Sequence, residues 1–324
     1  MEGNTIGVYM TDILKPRKGS LAYRPRKRAR KQMPTINYWA PSGEGRVLGL
    51  AGYKAGMTHI HYVEDIEGPA KGQEISTAVT VIEVPPLMVY GIRTYSGRKC
   101  SGEVLIEKED VLKRIGVRKK KTAKEAKADG CEEVALLVYA QPEKTGIGKK
   151  HAERMELRVG GADAAAKIEF AKGMLGKELR ASEVFRPGEF VDVISVTKGK
   201  GWQGTVKRFG TGLQRPKATG KRRHIGCMGQ FKPGYIFYTI PRPGQTGYHK
   251  RTELNKRIMK ISGNIDEVNP KGGFPRYGFV KNEYVLIRGS VPGPVKRLVR
   301  FRLGVRKGAA GEPKLTGVSL ESKV

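Results

Sequence analysis

Several small groups of residues have types and spacing that could do chemistry. Gly199-Lys-Gly-Trp-Gln-Gly204 matches the Gly-x-Gly-x-x-Gly pattern of a dinucleotide-binding turn. Such a turn needs an apolar helix directly after it and an acidic residue about twenty positions on. Here Thr205-Val-Lys-Arg-Phe209 follows, and the next acid is Glu253. The glycines are therefore read as a tight turn that lets another backbone come close. His59 and His61 alternate along an expected strand and share a face, but no third metal ligand lies nearby. His224 and His249 sit among cations, without a carboxylate close in sequence to orient a general base. Cys100, Cys131 and Cys227 are isolated and odd in number, which argues against a disulfide framework or a zinc site and suits a reducing compartment. No phosphate-binding Gly-x-x-x-x-Gly-Lys-Ser/Thr loop, activated nucleophile or acid pair is evident in the sequence. Catalysis, a cofactor, a metal and a small-molecule substrate are all without support.

Charge points elsewhere. The 324 residues carry 62 Lys and Arg against 31 Asp and Glu, a formal net charge of +31. That is far more than solubility requires and opposes compaction through self-repulsion, so a polyanionic partner is expected. The surplus is not uniform. The stretch from Glu64 to Glu183 has 20 acids and 22 bases, while Ile13 to Gly43, Val193 to Thr252 and Tyr284 to Gly311 contain no acid at all. Cations in such windows have no internal partner nearby in sequence, and must face water or another molecule's phosphates.

The elements that would position these residues follow from composition and period. Lys15 to Lys31 has nine cations and two prolines with almost nothing to bury, and reads as an extended arm. Its Arg24 to Lys31 cluster has the alternative reading of a nuclear-import signal. Strand character recurs at Arg46 to Tyr53, Ser76 to Val84, Leu87 to Tyr95, Glu133 to Ala140, Glu189 to Thr197, Trp202 to Lys207, Arg257 to Ile261, Glu283 to Arg288 and Val295 to Phe301. Pro85-Pro86 places a bend between two of these strands. Val104 to Ala128 and Ala162 to Met174 have helical composition. Short strands on both sides of an α/β stretch suggest one barrel-like β domain interrupted in sequence. Phe209 to Tyr248, rich in glycine, proline and cations, is too long and polar for a hairpin loop and should project and order on its partner. The N-terminus lacks an apolar signal region, and the longest apolar run, Val79 to Ile92, is broken by Glu83, Pro85 and Pro86, so a soluble cytosolic protein is expected.

Cations interleave with aromatics and glycine in Lys198 to Gly204, Lys207 to Gly210, Gln230 to Tyr235 and Gln245 to Arg251. Cations track phosphates, aromatic and Arg planes stack on splayed bases, and glycine permits close approach to folded RNA. The expected RNA-binding residues are Arg24, Arg26, Lys27, Arg28 and Arg30 in the arm. Lys198, Lys200, Trp202, Lys207 and Arg208 continue the set, followed by Arg215, Lys217, Lys221, Arg222, Arg223 and His224. Phe231, Lys232, Tyr248, His249 and Arg251 complete it. For Trp202, Phe209 and Tyr248 the competing reading is an anchor to the barrel. For Phe231 it is local packing against Tyr235 or Phe237.

Long motifs carry a resemblance. Leu50-Ala-Gly-Tyr-Lys-Ala-Gly-Met-Thr-His-Ile60, Arg186-Pro-Gly-Glu-Phe-Val-Asp-Val193, Thr197-Lys-Gly-Lys-Gly-Trp-Gln-Gly204 and Pro243-Gly-Gln-Thr-Gly-Tyr-His-Lys-Arg-Thr-Glu-Leu-Asn-Lys256 closely resemble the family of universal large-subunit ribosomal protein number three. The arm motif Gly19-Ser-Leu-Ala-Tyr-Arg-Pro-Arg-Lys-Arg-Ala29 is similar to that of its archaeal and eukaryotic branch. The resemblance implies a translation-protein-type β-barrel on the solvent side of the large subunit. It also implies an arm and a long central finger directed toward the peptidyl transferase centre, an early role in assembly, and neighbours among other large-subunit proteins. Two positions depart from the family. Phe231 stands where the finger tip is usually Trp, and Thr219 stands where eukaryotic relatives have a methylated histidine, which argues against that modification here.

The expected class is mainly β with an α/β insert, a translation-protein-type barrel carrying an arm and a finger. The plan is residues 1–43 as basic arm, 44–95 as first barrel part and 96–185 as insert. Residues 186–208 form the second barrel part, 209–250 the finger, and 251–324 the third barrel part with the C-terminal tail. The expected partners are large-subunit rRNA and neighbouring large-subunit ribosomal proteins, with no membrane and no cofactor, in the cytoplasm within the ribosome. An RNA-processing enzyme with a basic appendage would need a catalytic constellation. An architectural DNA-binding protein would explain the charge but not the stacking pattern.

Overall fold

Alternation of apolar and polar residues in the strand-forming runs produces three sheets, seen in a computed structural model that describes residues 16–116 and 131–321. In chain order the strands are β1 (Gly49–Val63), β2 (Glu74–Glu83), β3 (Leu87–Ser96), β4 (Lys99–Leu105), β5 (Glu133–Ala140), β6 (Glu153–Arg158), β7 (Glu178–Leu179), β8 (Phe190–Val196), β9 (Gly199–Gln203), β10 (Gly244–Gly247), β11 (Lys250–Ser262), β12 (Tyr284–Arg288), β13 (Leu298–Leu303) and β14 (Lys314–Val318). Short helices α1 (Glu109–Arg114), α2 (Ala164–Met174), α3 (Ala181–Val184) and α4 (Thr205–Phe209) lie between them. The protein is mainly β, as its composition and periodicity suggest.

The chain divides into two compact units, one of residues 1–30 with 198–249, the other of residues 31–197 with 250–324. The larger unit, the body, holds the major sheet, in the order β13, β8, β11, β12, β2, β1, β14. β1 pairs with β13 as well, Gly49 opposite Arg302 and Tyr53 opposite Leu298, so six strands close into a ring and β14 pairs with the far end of β1. On the ring strands Ile60, Tyr62, Val81, Val193, Leu286 and Val299 are fully buried. Each large apolar side chain so buried contributes about 1.5–3 kcal/mol. On β1, His59 and His61 share one face, as their two-residue spacing requires, and both are exposed while Ile60 and Tyr62 between and beyond them are buried.

Pro85 and Pro86 separate two strands that join different sheets. β2 stays in the ring, whereas β3 enters a second sheet ordered β4, β3, β5, β6, with β7 on β3. α2 packs on β5 and buries Ile168 and Ala171. Leu87, Val89, Leu136 and Val138 continue the apolar cluster of the ring, while Tyr90, Leu112, Ile115 and Tyr139 form a second cluster. At Gly49 a Cβ would lie 2.5 Å from the Trp39 ring, so this close approach requires glycine.

Two local expectations are corrected. The strand read over Trp202 to Lys207 ends at Gln203. Thr205 begins a helical turn that buries Thr205 and Phe209, four residues apart on one face. The helix read over Val104 to Ala128 is strand at Val104 and Leu105, and helix only at Glu109–Arg114 up to residue 116. Residues 117–130 lie outside the described residues.

Candidate nucleic-acid interface

The described residues of the smaller unit come from the two longest acid-free stretches. Its described residues, 16–30 and 198–249, contain eighteen Lys and Arg and no Asp or Glu. β9 and β10 pair antiparallel, with Gln245 opposite Trp202 and Gly247 opposite Gly199, and the register shifts between Gln245 and Gly247. The shift explains one glycine of the Pro243-Gly-Gln-Thr-Gly-Tyr-His motif. Gly247 has a φ of +68°, and a Cβ there would come within 2.1 Å of the Lys198 carbonyl oxygen. Tyr248 N–H donates to that same carbonyl at 3.1 Å.

The arm segment packs along this ribbon. Ala29 N–H donates to the Tyr248 carbonyl at 2.8 Å, and His249 Nδ1, facing the Lys27 carbonyl at 2.9 Å, is the donor of that pair. Arg17 reaches the Thr239 carbonyl at 2.7 Å. The guanidinium of Arg24 lies 4.8 Å from the Tyr238 ring centre, and that of Arg26 lies 4.5 Å from the ring of Phe209. Phe209 also carries Arg208 at 5.2 Å and is almost fully buried. Cation–π contacts of this kind are worth about 0.5–1 kcal/mol when exposed and more when desolvated. Arg208 donates to the carbonyls of Gln245 at 3.2 Å and Arg242 at 2.9 Å. Burial first, and the charge of Arg24 second, lower its pKa.

The structure places most of the expected RNA-binding residues on the surface. Arg24, Lys27, Arg28, Arg30, Lys198, Lys200 and Lys207 are exposed, as are Arg215, Lys217, Lys221, Arg222, Arg223, His224 and Lys232. Arg26, Arg208 and Tyr248 are half-buried, and His249 is buried. Arg251 belongs to the body, on β11 opposite Ser195, and is half-buried there. Trp202 is 74 % exposed, so it is not a core residue. Phe209 is the buried aromatic of this unit. Phe231 is 93 % exposed, while Tyr235 and Phe237 pack edge-on against each other at 5.3 Å. Arg28, Arg30, Gly199, Gly201, Gln245 and Tyr248 surround a cleft of about 590 Å³. Gln214 N–H bonds the Arg222 carbonyl at 2.9 Å, which closes the loop carrying Arg215, Lys217 and Lys221.

Sequence reading left Arg17, Tyr238 and Arg242 out of the candidate set. The signal was the run Tyr235-Ile-Phe-Tyr238, four bulky residues with no alternation, of which Tyr235 and Tyr238 are each 66 % exposed. Among the described residues no cluster of His, Cys, Asp and Glu could hold a metal, and no helix is long and apolar enough to cross a membrane.

Comparison with known proteins fixes what such a molecule belongs to. The family model of ribosomal protein L3 matches residues 10–108 and 101–319. The chain belongs to the ribosomal protein L3 family. Large ribosomal subunit protein uL3 of Methanobrevibacter smithii is 44 % identical, over 95 % of this chain and 97 % of that protein. The protein of that name from Methanothrix thermoacetophila is 45 % identical, over 97 % and 99 % respectively. That of Methanocaldococcus jannaschii is 42 % identical, over 96 % and 98 %. The L3 family match includes both the ring of strands and the basic unit, so the basic segments are part of the L3 chain and not an addition to it.

Proposed function

We propose that this L3 family member is a structural constituent of the large ribosomal subunit, with no catalytic role, that binds large-subunit rRNA. Residues 1–43 and the finger, 209–250, are the segments that reach into RNA, and the ring of strands carries them. In this reading the protein supports early subunit assembly and helps shape the surroundings of the peptidyl transferase centre. It sits beside other large-subunit proteins, within the cytoplasmic ribosome. One observation carries the proposal: eighteen cations in one unit with no acid among its described residues. A unit so charged has far too little internal counter-charge, and a phosphate backbone supplies it.

The test is equilibrium binding of the purified protein to archaeal large-subunit rRNA across a salt series, with duplex DNA as competitor. Log affinity should fall with log salt with a slope of several, since each neutralised single-strand phosphate contributes about 0.7. Duplex DNA should compete poorly. A slope near one, or equal competition by DNA, contradicts the proposal.

A further inference from the structure

Beside Arg208 the smaller unit encloses a cavity of about 420 Å³. That volume falls in the range of about 300–1,000 Å³ typical of small-molecule sites. Its walls are of two kinds. Four guanidiniums, from Arg24, Arg26, Arg208 and Arg242, line it together with the rings of Phe237 and Tyr238. Two of the cations are held by groups that carry no negative charge: Arg24 over Tyr238, and Arg208 on two main-chain carbonyls. Carbonyls and rings orient a guanidinium without neutralising it. With no acid among the unit's described residues, the like charges of Arg24, Arg208 and Arg242 around one cavity repel each other, and an anion would relieve them.

Both rings also keep open surface. Tyr238 is 66 % exposed even with Arg24 above it, and Phe237 is 47 % exposed. An inorganic phosphate would satisfy the cations and leave both rings in water. An apolar peptide would cover the rings and desolvate the cations without pairing them, which is costly. A nucleotide satisfies both, because its base has a π-face for the rings and its phosphate meets the guanidiniums.

We propose that this cavity takes one unstacked nucleotide of single-stranded RNA, its base against Phe237 and Tyr238 and its phosphate toward Arg24 and Arg242. The inference rests on the RNA-binding reading above and adds a demand to it: a base, and not backbone charge alone, is recognised here. Paired RNA keeps its bases stacked within the helix, so the site selects a bulge, loop or strand end.

The experiment uses the full chain and three probes: hexauridylate, a hexamer of the same ribose-phosphate backbone without bases, and archaeal large-subunit rRNA. Tyr238→Ala should weaken hexauridylate binding about tenfold, the lower to middle range for loss of one base stack. Its affinity for the abasic hexamer should stay as in the unaltered protein, which also shows that the variant is folded. Tyr238→Phe, which keeps the ring, should bind both probes normally, and Phe237→Ala should repeat the selective loss. If Tyr238→Ala and Phe237→Ala weaken both probes equally, or neither, the base site is overturned while rRNA binding stands. If the unaltered protein fails to bind the rRNA, the RNA reading falls, and this proposal with it.

Discussion

Arg302 and Arg208 show how differently the two units treat a half-buried guanidinium. In the body, Arg302 donates Nε and Nη2 to Asp192 at 3.1 and 3.0 Å. Asp192 is fully buried and also accepts from Asn255 N–H at 3.1 Å. Arg257, 1 % exposed, is paired with Asp65 through both carboxylate oxygens, and Arg46 meets Glu189 at 2.9 Å. Arg208 is bonded to main-chain carbonyls and lies near one ring, in a unit with no acid among its described residues. The body therefore compensates these three guanidiniums with its own carboxylates. The smaller unit has hydrogen bonds and rings to hold its shape, but its net charge waits for an outside partner.

The largest effect that would break this comparison lies at Glu83, fully buried in the body. Its carboxylate accepts from Tyr277 Oη, from the main-chain N–H groups of Lys281 and Asn282 at 2.9 and 3.0 Å, and from Asn282 Nδ2 at 2.7 Å. Glu83→Ala strands several buried donors, each worth about 1–3 kcal/mol, so urea unfolding should show a loss of at least about 3 kcal/mol. Glu83→Gln, which keeps an acceptor, should lose less. Folded Glu83→Ala protein should retain its rRNA affinity. A weakened salt slope instead would show that the two roles are not separable.

Next in size is the alkaline limit of the body. Burial and a hydrogen bond to Glu64 push Tyr62 up to about 12. Burial above all, with Glu267 adding to it, does the same for Tyr284. Both have an ordinary value of 10.0, and a raised folded value means the native state holds the proton more tightly. Their contribution is complete below pH 10 and is lost as pH rises from 10 toward 12. Urea midpoints measured across that window should decline, and a flat profile would remove the buried hydroxyls from the account.

Phe231→Ala sharpens the other side. An aromatic as exposed as Phe231 does little for folding, and a base stack is worth about 1–3 kcal/mol. Occupancy of the variant in purified large subunits should be near normal while the single-turnover rate of peptidyl transfer changes. Phe231→Trp should be tolerated. Loss of occupancy would make Phe231 an assembly residue. Smallest of all is Lys113→Ala, which removes a 3.2 Å pair with Glu109 in which both side chains are more than 70 % exposed. Thermal unfolding should register under about 0.5 kcal/mol, because exposed i,i+4 pairs contribute that little.

Much of this molecule was determined by sequence alone, because the responsible forces act locally. Acid-free windows announce a polyanion partner without any coordinates, since cations have no opposite charge within reach along the chain. The β-branched run Phe190–Val196 is a strand whatever it pairs with, and Pro85-Pro86 ends one sheet and begins another because neither residue donates to a ladder. Other features required the tertiary structure. β6 and β14 escaped sequence reading because their polar alternation carries little apolar signal, and their strand character comes from pairing with β5 and β1. Ring closure through Gly49 opposite Arg302 joins chain ends that no local period connects. The same holds for His249, whose hydrogen bond to Lys27 spans 222 positions, and for Arg24 over Tyr238. A side chain's type states what it is able to bind. Whether it is turned to the main chain, to a ring or to solvent depends on contacts between distant segments, and only the folded chain sets those.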